Sequence, residues 1–335
     1  IEGYATVLFI CIFARSLGNY EELKDVGLSS SFWAIIVGIF FRNVMSMNPQ
    51  LGLSGEYFVK IGITLLAMDF SAMSSVGPGL VVAWVDTAIV FFIGTSIAMY
   101  LFKLDLRSSI IVSGATCICG SSAATAIAGS VHSKSDFDRE KTKDTTQTII
   151  ALMSMLNTPL MPLLPLLYTQ YNVNPSVVGA WIGGSIDSTG QVIASASLGS
   201  SDAMLETATI IKMVQNVIIG PVCLALTMYF QKTLKLQIIL DKFPLFVAGF
   251  FITSLVINII RLSEVTTDHV ADLTISNAWF TSEWVNLIGF AIIGLQIHVQ
   301  SFVKNSSNHM ILYSYLCIQT VDVVTTFGWS YLMFR

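Results

Sequence analysis

Charge is what this sequence most lacks. Asp, Glu, Lys and Arg make up 11% of its 335 residues, against about 25% in an ordinary soluble domain. So few charges leave a water-facing surface uncovered, which excludes a soluble globule; a bilayer removes the need. Basic clusters are missing too. Seventeen basic residues against 21 acidic ones give a net charge of −4, and without a basic patch nucleic acid is excluded as a partner. Cysteine and histidine are scarce, at five and four. Cys117 and Cys119 stand closer together than the usual zinc pairing, with no His nearby, so no metal centre is expected. Four of the cysteines sit in apolar runs, as small core residues do. No nucleophile–base pair, ligand cluster or phosphate loop rises above chance, so neither an enzyme nor a cofactor is expected. The short apolar start carries no cleavable signal peptide pattern.

Apolar sequence is what remains, at 54% of residues and a mean hydropathy of +0.72. Spanning a hydrocarbon core takes about 20 apolar residues in a helix. Candidate spans run over residues 4–17, 32–47, 57–73, 80–102, 145–168, 207–230, 246–260, 284–303 and 310–334, about nine in all. Pro159, Pro162 and Pro165 are placed to kink the fifth. The chain thus reads as a single all-α, multi-pass membrane domain over residues 1–335.

Two further segments, 107–131 and 175–200, are long enough to cross but crowded with Gly, Ser and Thr at their centres. Small residues permit close helix packing, so two tightly packed helices are one reading. Two broken helices or re-entrant hairpins are the other, since irregular backbone at membrane depth is tolerated where protein buries it or a wet cavity faces it. The placement of basic residues favours hairpins. Lys103 and Arg107, then Lys134, Arg139, Lys141 and Lys143, then Lys232, Lys235 and Lys242 all fall on one side if both segments re-enter. The positive-inside rule makes that side cytoplasmic. The same topology puts the Asn305-Ser306-Ser307 sequon in the cytoplasm.

The odd segments resemble each other, and so do their successors. TIIALMSMLNTPLMPLL from Thr148 parallels TIIKMVQNVIIGPVCLAL from Thr209. A weaker pairing sets WAIIVGIFF from Trp33 against LFVAGFFIT from Leu245, and the stretch from Tyr57 against that from Trp284. Residues 32–170 and 174–335 therefore read as two repeats with permuted element order, inverted in topology. That arrangement is a hallmark of secondary transporters, with the site near the midplane where broken helices meet.

A broken helix exposes N–H groups at one half-helix end and C=O groups at the other. The N–H end attracts anions. Ser113, Thr116, Cys119, Gly120, Ser121 and Ser122 in the first centre, with Thr125 beyond, are candidate substrate ligands. In the second centre the candidates are Gly184, Ser185, Ser188, Thr189 and Gln191. The alternative is that such residues pack and bond back to their own helices. Ionisable groups at membrane depth are functional candidates by default. Asp187 is the sharpest: it would hold a proton, coordinate Na⁺ or cap a half-helix. Lys212 would pair with it or face an anion. Asn157, Gln215 and Asn216 line the same region, with Asn157 beside Asp187 as a coupling-ion candidate. Asp69, Asp86 and Asp322 also fall inside spans, and His298 near a helix end. Glu56 and Lys60 stand at i, i+4 as a local pair.

Three motifs in order carry a family resemblance over nearly the whole chain. Ile118-Cys119-Gly120-Ser121-Ser122-Ala123 is followed by the run from Trp181 to Ser188 before Gln191-Val192-Ile193. Ala208-Thr209-Ile210-Ile211-Lys212 comes third, with Lys242-Phe243-Pro244 opening a later helix. With these the chain resembles the YeiH-type membrane proteins, also designated UPF0324 and named sulfate exporters. The family's His-Asp pair falls here on Asp187 and Ser188, and a basic residue three places after the family Lys falls on Gln215. Both departures make the site less positive and leave room for cation coupling. The family is grouped with the bile-acid symporters and Na⁺/H⁺ antiporters. That implies inverted repeats, a mobile core of broken helices against a scaffold, and a homodimer.

The expectation is a secondary active transporter of a small anion, sulfate-like or organic, coupled to H⁺ or Na⁺, in the plasma (inner) membrane. Two rivals stay open. A passive channel on the same fold predicts currents faster than alternating access and no coupling ion. A membrane receptor predicts binding without flux.

Overall fold

The computed structural model describes residues 2–18, 30–45, 55–66, 73–131, 142, 145–146, 148–150, 152–153, 156–157, 159–171, 173–199, 201–232, 245–262, 268–296 and 309–335. Among these the regular structure is helical throughout. The basic loop after residue 131, Lys235, the Lys242-Phe243-Pro244 match, Asp69, His298 and the sequon lie outside the described residues.

The elements are α1 Glu2–Gly18, α2 Ser30–Asn43, α3 Gly55–Leu66, α4 Met73–Leu80, α5 Thr87–Ser96, α6 Leu106–Gly114, α7 Ser121–Ser130, α8 Leu160–Tyr171, α9 Pro175–Ser185, α10 Thr189–Leu198, α11 Asp202–Val217, α12 Ile219–Gln231, α13 Leu245–Leu262, α14 Asp268–Gln296 and α15 His309–Phe334. A π-helical turn, Val81–Asp86, joins α4 to α5; others follow α5 at Ile97–Leu101 and α6 at Ala115–Cys119. Among the described residues four helices are long and apolar enough to cross a membrane: Gly77–Leu101, Asp202–Gln231, Thr274–Gln296 and His309–Phe334. Gly3–Gly18, Trp33–Asn43 and Leu106–Cys119 are shorter apolar helices.

Two boundaries differ from the sequence reading. The span expected from Trp284 begins far earlier, at Asp268. Near its middle Thr281 donates to the Asn277 carbonyl and Ser282 to that of Trp279, both at 2.7 Å. Hydroxyls bonded back to their own helix need no water. The span expected at residues 207–230 lies within a longer helical stretch, Asp202–Gln231, in which α11 and α12 meet at Ile218 just before Pro221.

The chain divides into two compact units that interleave along the sequence. The first holds residues 1–73, 197–200 and 245–298. Within it α14 packs on α2 and α3. A Cβ added to Gly38 would fall 2.9 Å from the Gly294 Cα, so side-chain-free faces let α2 and α14 touch backbone to backbone. Arg15 meets Glu283 at 3.2 Å and lies 4.7 Å from the Trp284 ring, which ties α1 to α14. The second unit holds residues 74–196, 201–244 and 299–335. It contains the first Gly-rich segment and the second as far as Ala196.

Candidate functional site

The first Gly-rich segment is a helical hairpin. Asp105 caps α6, accepting from the Ser108 N–H at 3.2 Å and its hydroxyl at 2.8 Å. From there α6 runs antiparallel to α5. Ser113 donates to the Phe91 carbonyl at 2.9 Å, and further on Thr87 donates to the Cys117 carbonyl at 3.2 Å. The helix ends in the π-helical turn, and Gly120 takes φ +60°, ψ −121°. That backbone is open to glycine and strained for other residues. Beyond Gly120 the chain reverses: a Cβ on Gly114 would strike the Ile127 side chain, although the two lie on opposite sides of the turn. In a continuous helix thirteen residues would separate them by about 20 Å.

The second segment reverses as well. Asn174 caps α9, accepting from the Ser176 N–H at 2.9 Å, with Pro175 at the first helical position. Gly179 lies against the Met204 backbone and Gly183 against that of Ala208, so α9 and α11 run side by side in the same direction. The chain between them must therefore turn back, and α10 is that return limb. The reversal falls at Ile186, whose φ −89°, ψ +124° is extended, followed by Asp187 and Ser188.

The hairpins approach from opposite ends of the α5–α15 pair. Those two helices are antiparallel: Thr326 donates to Asp86, and Gly94 faces Ile318. α6 comes in from the Ile318 end. α9 comes in from the other, with the Asn174 side chain donating to the Phe334 carbonyl, Trp181 Nε1 to Val323 and Gln319 Nε2 to the Ser185 carbonyl. The tips meet. A Cβ on Gly120 would lie 3.6 Å from the Asp187 Cβ.

α11 supplies the groups that hold the tips. Gln215 Nε2 stands 3.0 Å from the Cys117 carbonyl and 3.0 Å from the Gly184 carbonyl, one on each hairpin. Its Oε1 accepts from Lys212 Nζ at 2.7 Å, and Nζ also donates to the Ile118 carbonyl at 2.7 Å. Carbonyls freed where a helix ends need donors, and one amide with one ammonium provides them. Asp187 is held separately. Asn157 Nδ2 donates to its Oδ2 at 2.7 Å, and the Tyr315 hydroxyl lies 3.1 Å from the same oxygen and 2.8 Å from Asn157 Oδ1. Its other oxygen, Oδ1, is buried and meets no donor among the described residues. Asp187 and Lys212 lie in each other's field, but the direct pair expected from sequence does not form. Each charge has its own partners, with Gly120 and the two tips between them.

The remaining expected residues divide. Ser185 donates to the Trp181 carbonyl at 2.7 Å and Thr116 to that of Val112 at 2.8 Å, and Ser113 is committed to Phe91. These hydroxyls pack rather than face a solute. Thr125 donates to Ser121 at 2.9 Å on an exposed face. Ser121 and Ser122 open α7, and Ser188 and Thr189 the return limb α10, all half-buried beside the tips. Thr189 Oγ1 stands 3.4 Å from Asn216 Nδ2. Cys119 and Gln191 are buried. Sequence reasoning passed over Thr87, Tyr315, Gln319 and Thr326 and named Asp86 and Asp322 only as ionisable groups inside spans, without a role. The signal was present: Tyr315, Gln319, Asp322, Thr326 and Ser330 repeat at three- and four-residue steps, one face of a helix, and all are buried.

The profile of a family described as conserved hypothetical protein 698 matches residues 2–313. Curated relatives agree in kind. A UPF0324 membrane protein of Nitratidesulfovibrio vulgaris is 27% identical over 99% of this chain and 59% of its own length. One of Rhodopirellula baltica is 26% identical over 100% of this chain and 63% of its own. One of Lactiplantibacillus plantarum is 26% identical over 97% and 95%. The chain thus spans about three fifths of the length of the first two. No solved structure matches it. The motifs at the two hairpin tips and on α11 are the ones that suggested a resemblance, and the chain belongs to this family of UPF0324 membrane proteins.

Proposed function

We propose that the chain is a secondary active transporter, moving a small anion with H⁺ or Na⁺ as the coupling ion by alternating access. The observation that supports it is the meeting of two helical hairpins from opposite ends of one helix pair, with a buried carboxylate at one tip. Secondary transporters place substrate and coupling ion where broken helices meet near the midplane. Irregular backbone at that depth needs protein or a wet site around it, and here Gln215 and Lys212 supply it.

In this reading residues 32–170 and 174–335 are inverted repeats, each contributing one hairpin and the helix after it. Asp187, with Asn157 and Tyr315, is the coupling-ion site. Ser121, Ser122, Ser188, Thr189 and Asn216 ring the solute. Lys212 supplies the positive field that favours an anion, while its own hydrogen bonds go to the Ile118 carbonyl and to Gln215. The chain is then a carrier in the plasma (inner) membrane, not an enzyme, and works as a homodimer.

Uptake into proteoliposomes tests this. Sulfate, sulfite and small carboxylates are offered under imposed H⁺ or Na⁺ gradients. Accumulation of one of them above its outside concentration, dependent on the gradient, is expected. Binding without uptake of any would make the chain a receptor, and downhill flux with no ion dependence would make it a channel.

A further inference from the structure

Two carboxylates take no part in holding the hairpin tips. Asp86 ends the π-helical turn before α5 and is 3% exposed; Asp322 is 1% exposed. Both lie well inside helices long enough to span, Gly77–Leu101 and His309–Phe334. At about 1.5 Å per residue each is more than about 10 Å from either helix end. An ionisable group at such depth is costly and calls for a partner.

The protein supplies too few. Thr326 donates to Asp86 Oδ2, but Asp86 Oδ1 and Asp322 Oδ2 are buried and meet no donor among the described residues. Gln319, one turn before Asp322 and 6% exposed, turns its Nε2 to the Ser185 carbonyl. Its Oε1 is left buried and likewise without a donor among the described residues. Three buried acceptor oxygens on or beside this face of α15 thus lack a donor among the described residues.

Water can satisfy such oxygens, but it brings no charge, and charge decides the matter. Asp322 lies in the field of Asp86, Asp187 and Lys212, and Cys117 and Tyr315 are close enough to sense it. Among these groups Lys212 is the single cation against three carboxylates. Fully ionised, the cluster keeps two negative charges uncompensated in a low-dielectric interior. Burying them so is prohibitive. One compensating charge belongs to Asp187, the coupling residue proposed above; the other falls to Asp86 and Asp322.

We infer that Asp86 and Asp322 form a second proton-binding site, occupied independently of Asp187 and joined to it by the polar face of α15. Its role in coupling rests on the transporter reading; its occupancy does not. The proton sits on one carboxylate oxygen of the pair and leaves the other negative, beside the Thr326 hydroxyl. The cluster as a whole then binds two protons, or one proton and the Asp187 ion.

Infrared spectroscopy of the full chain in detergent at neutral pH reads this directly, through the carbonyl stretch of protonated carboxyl groups. The band is expected in wild type and in Asp187→Asn, weaker in Asp86→Asn or Asp322→Asn, and absent from the triple variant. Asparagine is nearly isosteric, and thermal melts confirm folding; should the triple variant not fold, the two single variants decide. A band untouched by both single substitutions overturns the proposal. So does a band in Asp187→Asn that disappears on adding Na⁺ at constant pH, which would make the site a cation site. The transporter reading fails separately: a chain that moves no solute but shows the band keeps the site and loses the reading, and flux without the band does the reverse.

Discussion

Gln215 answers more unsatisfied backbone than any other side chain at the site. Its amide faces the Cys117 and Gly184 carbonyls and its oxygen holds Lys212. Gln215→Leu strands the Gly184 carbonyl and leaves Cys117 with Thr87 and Lys212 with Ile118 as remaining partners, at a cost of about 1–3 kcal/mol for a buried group left unpaired. A clearly lower melting midpoint in detergent is expected. Gln215→Glu keeps the acceptor for Lys212 but turns an oxygen toward two carbonyls. It should therefore melt below wild type as well, and a glutamate variant as stable as wild type would remove the bridging role. Asp187 was legible from sequence because a lone carboxylate interrupts a neutral polar run. Gln215 was legible only as a neighbour of Lys212; its bridging role was not, because an amide in an apolar helix looks like any other until the two tips it joins are known. Asp322 was legible as a carboxylate inside a span, but its relation to Thr326, four residues on along one face of α15, was legible only as a pattern.

At the scale of the element, the two interruptions in the Gly-, Ser- and Thr-rich segments could be read from composition, and their reversal from the placement of basic residues. Composition did not say which glycine turns the chain. Gly120 does so, with its positive φ, while Gly179 and Gly183 serve close packing on α11. Both roles belong to small residues, so the two readings of these segments are each right at different positions. Gly120→Ala strains the turn by about 1–3 kcal/mol and should lower both melting midpoint and uptake. Gly183→Leu drives a branched side chain into the Ala208 backbone and should impair folding, seen as loss of monodisperse protein on size exclusion. Helix lengths were less legible. The start of α14 at Asp268 escaped notice because many of the residues before Trp284 are polar, and hydropathy does not register a helix there.

For the whole molecule, the all-helical, apolar character followed from composition alone. The interleaved division into two units did not, since it depends on which helices pack together. Each proposed repeat contributes helices to both units. The central claim is that Asp187 couples solute movement to an ion gradient. The most direct test compares wild type with Asp187→Asn in proteoliposomes loaded and driven alike, following solute accumulation with the gradient imposed and then collapsed. The account predicts gradient-dependent accumulation in wild type. In Asp187→Asn it predicts no accumulation, with the protein still folded and inserted. Equal gradient-driven accumulation by the two proteins would contradict it.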